Sequence, residues 1–245
     1  MTAFRPIPRL RGRVEYRQTG SNTLWGFEDW SITRGADGLR VMAAHCEMTL
    51  TGGDGAQQNV VRDSVLSVHP DFHPHDAFVR IMREGAVTGT GWFRFTDSEA
   101  TCESWTRDEG RISQSIPIER PIRGFGIHAV QGDGWLASTF PYHKGAGHRQ
   151  FFGRNLLHSV HHLGATGPMI TTSGSGLDYV GRETITVPAG TFDCHHVAFV
   201  GLTNAHPPYD MWVSADGDFL YVRGVVSGYM DSTFELAELS REHGS

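Results

Sequence analysis

Histidine is the side chain best suited to chemistry in this chain, and there is an excess of it. Fourteen histidines occur in 245 residues, many of them clustered: His69, His73 and His75; His143 and His148; His158, His161 and His162; His195 and His196. Imidazole titrates near neutral pH and can both give and take a proton, so a pocket lined with it suits acid–base work. His128 stands alone on an otherwise apolar run, Gly126-Ile127-His128-Ala129-Val130, and is the first candidate for an acid–base residue. His158 and His162 come next, with Tyr209 or Tyr221 as a phenolic proton donor. The competing reading of each histidine is a hydrogen-bonded structural residue.

Metal binding asks for three or four converging ligands. If residues 154–163 form a strand, His158 and His162 share a face and His161 takes the other. The only His-x-His spacing is His73-Pro74-His75, in a proline-rich turn, and carboxylates do not sit at ligand offsets. No metal and no organic cofactor is therefore expected. Ser173-Gly174-Ser175-Gly176 lacks both the nucleophile elbow and the Walker lysine, and reads as a flexible loop. Cys194 shares a strand face with His196 but not with His195, so at most one of the paired histidines can serve a given site. A core cysteine is the plainer reading.

Charges lie within apolar strand segments: Glu28 and Asp29 between Phe27 and Trp30, Arg80 beside Val79 and Ile81, Arg94 between Phe93 and Phe95, Asp210 between Tyr209 and Met211. By alternation Arg94 shares a face with Trp92, and Asp210 with Trp212. An ionised group facing a barrel interior must be paired or must meet a polar ligand; the alternative is that these groups face solvent. Arg80, Trp92, Arg94, Asp210, Trp212 and Tyr221 are accordingly expected to bind substrate, with Arg80 or Arg94 holding an anionic or enolate oxygen.

The elements that must position these residues are short strands. Residues 13–18, 24–33, 39–51, 59–69, 77–82, 89–96 and 101–106 are rich in Val, Phe, Trp and Thr, with turn residues between them. Strands at this spacing mark a sandwich or barrel. Asp-Gly pairs at Asp37, Asp54, Asp133 and Asp216 predict tight turns. Residues 122–130 and 135–140 are expected to pair as a hairpin around Gly132-Asp133-Gly134. Residues 154–163 fit a strand or a short helix, and the tail is read as strand to about Leu239. Nothing splits the chain, which predicts one domain over 1–245, with 1–12 an irregular arm and 240–245 a frayed tail.

The clearest stretch runs through Val187-Pro188-Ala189-Gly190-Thr191-Phe192, Cys194, Tyr209-Asp210-Met211-Trp212-Val213 and Leu220-Tyr221-Val222, with an N-terminal echo in Gly26-Phe27-Glu28-Asp29-Trp30. It resembles uncharacterised bacterial lipocalin-like proteins, twisted antiparallel half-barrels distantly like the lipoprotein carriers LolA and LolB in shape. The resemblance covers about a third of the chain. It implies a wide β-sheet curled around an apolar groove, and it brings no catalytic residues with it.

Net charge is −6, which argues against a nucleic-acid or anionic-membrane surface. Residues 1–15 carry arginines but no apolar core segment, so a leader is not expected, and no run approaches a membrane span. Cys46, Cys102 and Cys194 are odd in number and scattered, which reads as reduced thiols in the cytoplasm. The sequence thus predicts an all-β, lipocalin-like antiparallel barrel or half-barrel with a central hydrophobic groove. The function expected is a cofactor-independent lyase, hydratase or isomerase acting on a hydrophobic small molecule, the alternative being a non-catalytic binder of such molecules. Open strand edges would allow a homodimer.

Overall fold

The computed structural model describes residues 9–52, 54–118, 122–160, 163–201, 206–228 and 231–242. The protein is built on one 15-stranded sheet. Eight consecutive strands, β1 (Arg9–Gln18), β2 (Leu24–Arg34), β3 (Arg40–Thr51), β4 (Gln57–Val68), β5 (Pro74–Arg83), β6 (Ala86–Phe95), β7 (Glu99–Thr106) and β8 (Gly110–Pro117), form an antiparallel meander. A second run begins with the two-residue β9 (Phe125–Gly126) and continues through β10 (Arg149–Leu157), β11 (Thr171–Val187), β12 (Gly190–Val200), β13 (Tyr209–Ser214), β14 (Tyr221–Val226) and β15 (Ser232–Glu242). The two runs join where β15 pairs antiparallel with β1, Arg9 opposite Glu242. Among the described residues only β9 and β10 pair in parallel. The sheet curls as a half-barrel and does not close.

Alternation decides what faces inward. Val14 and Tyr16 on β1, Trp30 and Ile32 on β2, Met42, Ala44 and Cys46 on β3, and Val60 and Leu66 on β4 all point to the buried side; β5 to β7 contribute Val79, Ile81, Phe93 and Cys102. These residues form one continuous core with the second run. The free edge β8 is tied to the second run by a side chain: Gln114 Nε2 donates to Ile170 O (3.2 Å) and Ile170 N donates to Gln114 Oε1 (2.7 Å).

Inside the curl of the sheet, the segment from β9 to β10 packs on the first run. Phe125 packs against Phe93 and Phe95, with ring centroids 4.9 Å from each. A single-chain stretch carries helix α1 (Val130–Leu136). This corrects the expected hairpin around Gly132-Asp133-Gly134. Asp133-Gly134 lies within the helix, and a side chain at Gly134 would meet Phe219 O at 2.6 Å, so this glycine permits close packing rather than a turn. The Asp-Gly pair at Asp216 does form its hairpin turn, with Gly217 at φ 86°, where a Cβ would be strained. Two further expectations are adjusted. Arg9–Gly12 belong to β1 instead of an arm, and β15 runs to Glu242, past Leu239.

Candidate functional site

Helix α1 has no side-chain cap of its own; its N-cap, Ala129, offers none. The cap comes from β2. Glu28, fully buried, accepts Val130 N–H at Oε2 (2.7 Å) and Gln131 N–H at Oε1 (3.1 Å). Tyr16 Oη donates to the same Oε2 (2.9 Å), and the Cys46 thiol reaches it at 3.4 Å. A carboxylate at a helix N-terminus meets unsatisfied N–H groups and the positive end of the dipole, which is how a buried charge is tolerated here. The opposite flank is fixed by Gln131, which accepts from Tyr221 N (3.0 Å) and donates to Phe219 O (3.3 Å).

Arg62 on β4 supplies the compensating cation, 1 % exposed. Its Nη1 donates to Leu163 O (2.5 Å); Nη2 donates to His128 O and lies 3.2 Å from Cys46 Sγ. His128 adopts the left-handed region (φ 60°), and its carbonyl meets this guanidinium immediately before the helix begins. Glu28 and Arg62 are therefore linked through a thiol, not by a direct ion pair. Burial pushes that thiol up to about 12, against the pull of Arg62, so it stays protonated.

Between this cluster and strands β10 and β11 lies a cavity of about 350 Å³, lined among others by Tyr16, Arg62, His128, Asp133, Tyr209 and Asn155. Its apolar wall includes Leu136, Leu157, Phe199, Val226 and Phe234. Apolar walls with a few convergent polar groups are the usual form of a small-molecule site. Asp133 projects from α1 onto this cavity, and Tyr209 Oη donates to its Oδ2 (3.4 Å) and lies 2.9 Å from Tyr221 Oη. Burial, reinforced by the Glu28 charge and only partly offset by Arg62 and Tyr209, lifts the Asp133 carboxyl to about 7. A carboxyl titrating near neutrality can take or give a proton at working pH. Burial likewise raises the phenols of Tyr16, Tyr209 and Tyr221, which remain proton donors.

The expected site residues divide sharply. Tyr209 and His128 line the cavity, and Tyr221 stands behind Tyr209. His158 is fully buried beside His128, Nδ1 to Nδ1 at 3.2 Å. Burial and the nearby Arg62 charge lower it to about 3, so it is neutral and orients His128 rather than lining the cavity. His162 lies outside the described residues. The remaining five are corrected. Arg80, Trp92, Arg94, Asp210 and Trp212 all lie on the outer face of the sheet, because they alternate with the buried Val79, Phe93, Tyr209 and Met211. Trp92 is 43 % exposed. Arg80 sits 4.0 Å from Asp63. Asp210 and Trp212 flank His196, which bridges Asp210 (2.9 Å) and Glu183 (2.8 Å) and stacks on Trp212 at 4.0 Å. None of the five reaches the cavity.

Sequence reasoning singled out Glu28 only as a strand charge, and it did not single out Arg62 or Asp133 as site residues. A usable signal was there for Arg62, which alternates with Val60, Ser64 and Leu66 on the apolar side of β4. Among the described residues no three His, Cys, Asp or Glu side chains are grouped as metal ligands would be.

No family model and no curated protein matches this chain. Solved structures do. A beta-barrel-like protein of the domain of unknown function DUF1849 from Brucella abortus superposes with a TM-score of 0.60 at 8 % identity, over 98 % of this chain and 100 % of that one. This establishes the shared barrel-like fold. Weaker likenesses are a candidate exported protein with a YmcC-like fold from Bacteroides fragilis (TM-score 0.39, 9 % identity, 95 % of each chain) and a candidate lipoprotein from Parabacteroides distasonis (0.32, 11 %, 96 % of each chain). Two of these distant likenesses carry the names of an exported protein and a lipoprotein, and the expected cytoplasmic location is not retained. No helix among the described residues is long and apolar enough to cross a membrane.

Proposed function

We propose that the cavity is the active site of a cofactor-independent enzyme of the lyase, hydratase or isomerase kind, acting on a lipophilic small molecule. The observation that carries this reading is Asp133, a carboxyl on the cavity wall in hydrogen-bond contact with the Tyr209–Tyr221 pair. Ionised Asp133 takes a proton from a substrate carbon next to a carbonyl. Tyr209, backed by Tyr221, hydrogen-bonds the developing enolate oxygen. The proton then returns to a different carbon, or a leaving group departs with help from His128. These groups, and not Arg80 or Arg94, hold the enolate oxygen.

The test is incubation with lipophilic ketones and enones in D₂O, followed by mass spectrometry. The expected result is deuterium incorporation that rises with pH through about 7 and is lost in Asp133→Asn. Binding without exchange would leave the second reading, a non-catalytic carrier of lipophilic ligands. That reading draws on Glu28, whose two oxygens are both committed to internal bonds. A homodimer through edge strand β8 belongs to the same proposal; size-exclusion chromatography with light scattering would decide it.

A further inference from the structure

Resting on the reading of the cavity as a small-molecule site, we propose that its ligand is a neutral, bipolar molecule: a lipophilic body with an oxygen function at each end, one end facing Asp133 and Tyr209 and the other facing Asn155 and Ser175. Two polar groups stand out in the lining, on different elements, with Arg62, His128, Ser159, Thr171, Thr172 and His206 lining the same cavity. Tyr16, Asp133 and Tyr209 come from β1, α1 and β13; Asn155 and Ser175 come from β10 and β11. In the sheet, β15, β14, β13 and β12 separate β1 from β11, and β12 separates β13 from β11. Leu136, Leu157, Phe199 and Val226 line the same cavity and supply its apolar wall.

Both polar groups keep hydrogen-bonding capacity. Asn155 donates its Nδ2 to Ser175 Oγ, and its amide oxygen takes no hydrogen bond among the described residues. Among the described residues Asp133 accepts only the long contact from Tyr209. A buried polar group left unmatched by a ligand costs affinity, so a site with polar groups at two ends selects a molecule with two polar ends. Neutrality follows from the charges. Arg62 has both Nη atoms committed to Leu163 O, His128 O and Cys46 Sγ, and Glu28 balances its charge across the thiol. Among the described residues lining the cavity Arg62 is the one Arg or Lys, and ionised Asp133 would repel an anionic head group.

The test is titration calorimetry with a matched set on a two-ring decalin frame: the hydroxyketone, each mono-oxygenated analogue, the parent hydrocarbon, and a carboxylate in place of the ketone. The hydroxyketone is expected to bind at least tenfold tighter than either mono-oxygenated analogue, and the carboxylate more weakly than the ketone. Asn155→Leu or the milder Ser175→Ala should abolish discrimination at one end, and Tyr209→Phe at the other. If the hydrocarbon binds as tightly as the hydroxyketone, the bipolar assignment is overturned while the cavity stands as a ligand site. If the carboxylate binds tightest, neutrality is overturned. If nothing in the set binds, the reading of the cavity itself fails.

Discussion

Strand β13 separates two clusters made from nearly the same side chains. On its inner side Tyr209 meets Asp133 and Tyr221, with Glu28 and Arg62 close by; on its outer side Asp210 and Trp212 meet His196, Glu183 and Arg223. The outer groups answer to neighbours one strand away, in contact with solvent. The inner groups answer to side chains brought from β1, β2, β3, β4 and α1, out of water. Burial is what separates them: it moves Asp133 to about 7, while outside it the same residue types form ordinary surface pairs.

The largest expected effect comes from Glu28→Ala. It removes the acceptor of four donors, uncaps α1 and leaves Arg62 uncompensated, so unfolding in urea should show a loss of about 3–5 kcal/mol. Asp210→Asn, on the outer side of the sheet, should cost under about 1 kcal/mol. Equal losses would break the contrast. Next comes pH. The Asp133 carboxyl is raised in the folded state, so its contribution to stability is present below the ordinary carboxyl range and is lost as pH rises through about 7. Asp133→Asn should flatten that decline, a difference on the order of a few kcal/mol between pH 4 and pH 8. His158 works in the opposite direction. Its folded value is depressed to about 3, so its stabilisation is present above about 6.5 and is lost as pH falls towards 3. His158→Gln should reduce acid sensitivity in the same assay. The smallest effect is expected at Cys46, Cys102 and Cys194: all three are buried with raised thiols, and none should react with an alkylating reagent until the protein unfolds.

Alternation in the sequence is enough to split Tyr209 and Met211 from Asp210 and Trp212, and the strands of the first meander follow from it. What alternation does not supply is which side lies inward, since an aromatic residue sits on both. Trp212 outside and Trp30 inside look alike in sequence. Helix α1 was illegible for a different reason. Its start is capped from β2, about a hundred residues earlier, so the local signal of Asp133-Gly134 pointed to a turn instead. His128 was visible as a lone polar residue on an apolar run. Its partnership with His158 depends on β9 and β10 pairing in parallel, a long-range event with no local trace.

The pairing of Arg9 with Glu242 carries a consequence for how the chain is threaded. Read from β9 through β15 and on through β1 to β8, the strand order in the sheet is unbroken. A circular permutant that opens the chain between β8 and β9 and joins Glu242 to Arg9 by a short turn would therefore follow the strand order of the sheet from one edge to the other. Its most distant contact would become a hairpin, contact order would fall, and refolding should quicken without any change to the inner cluster.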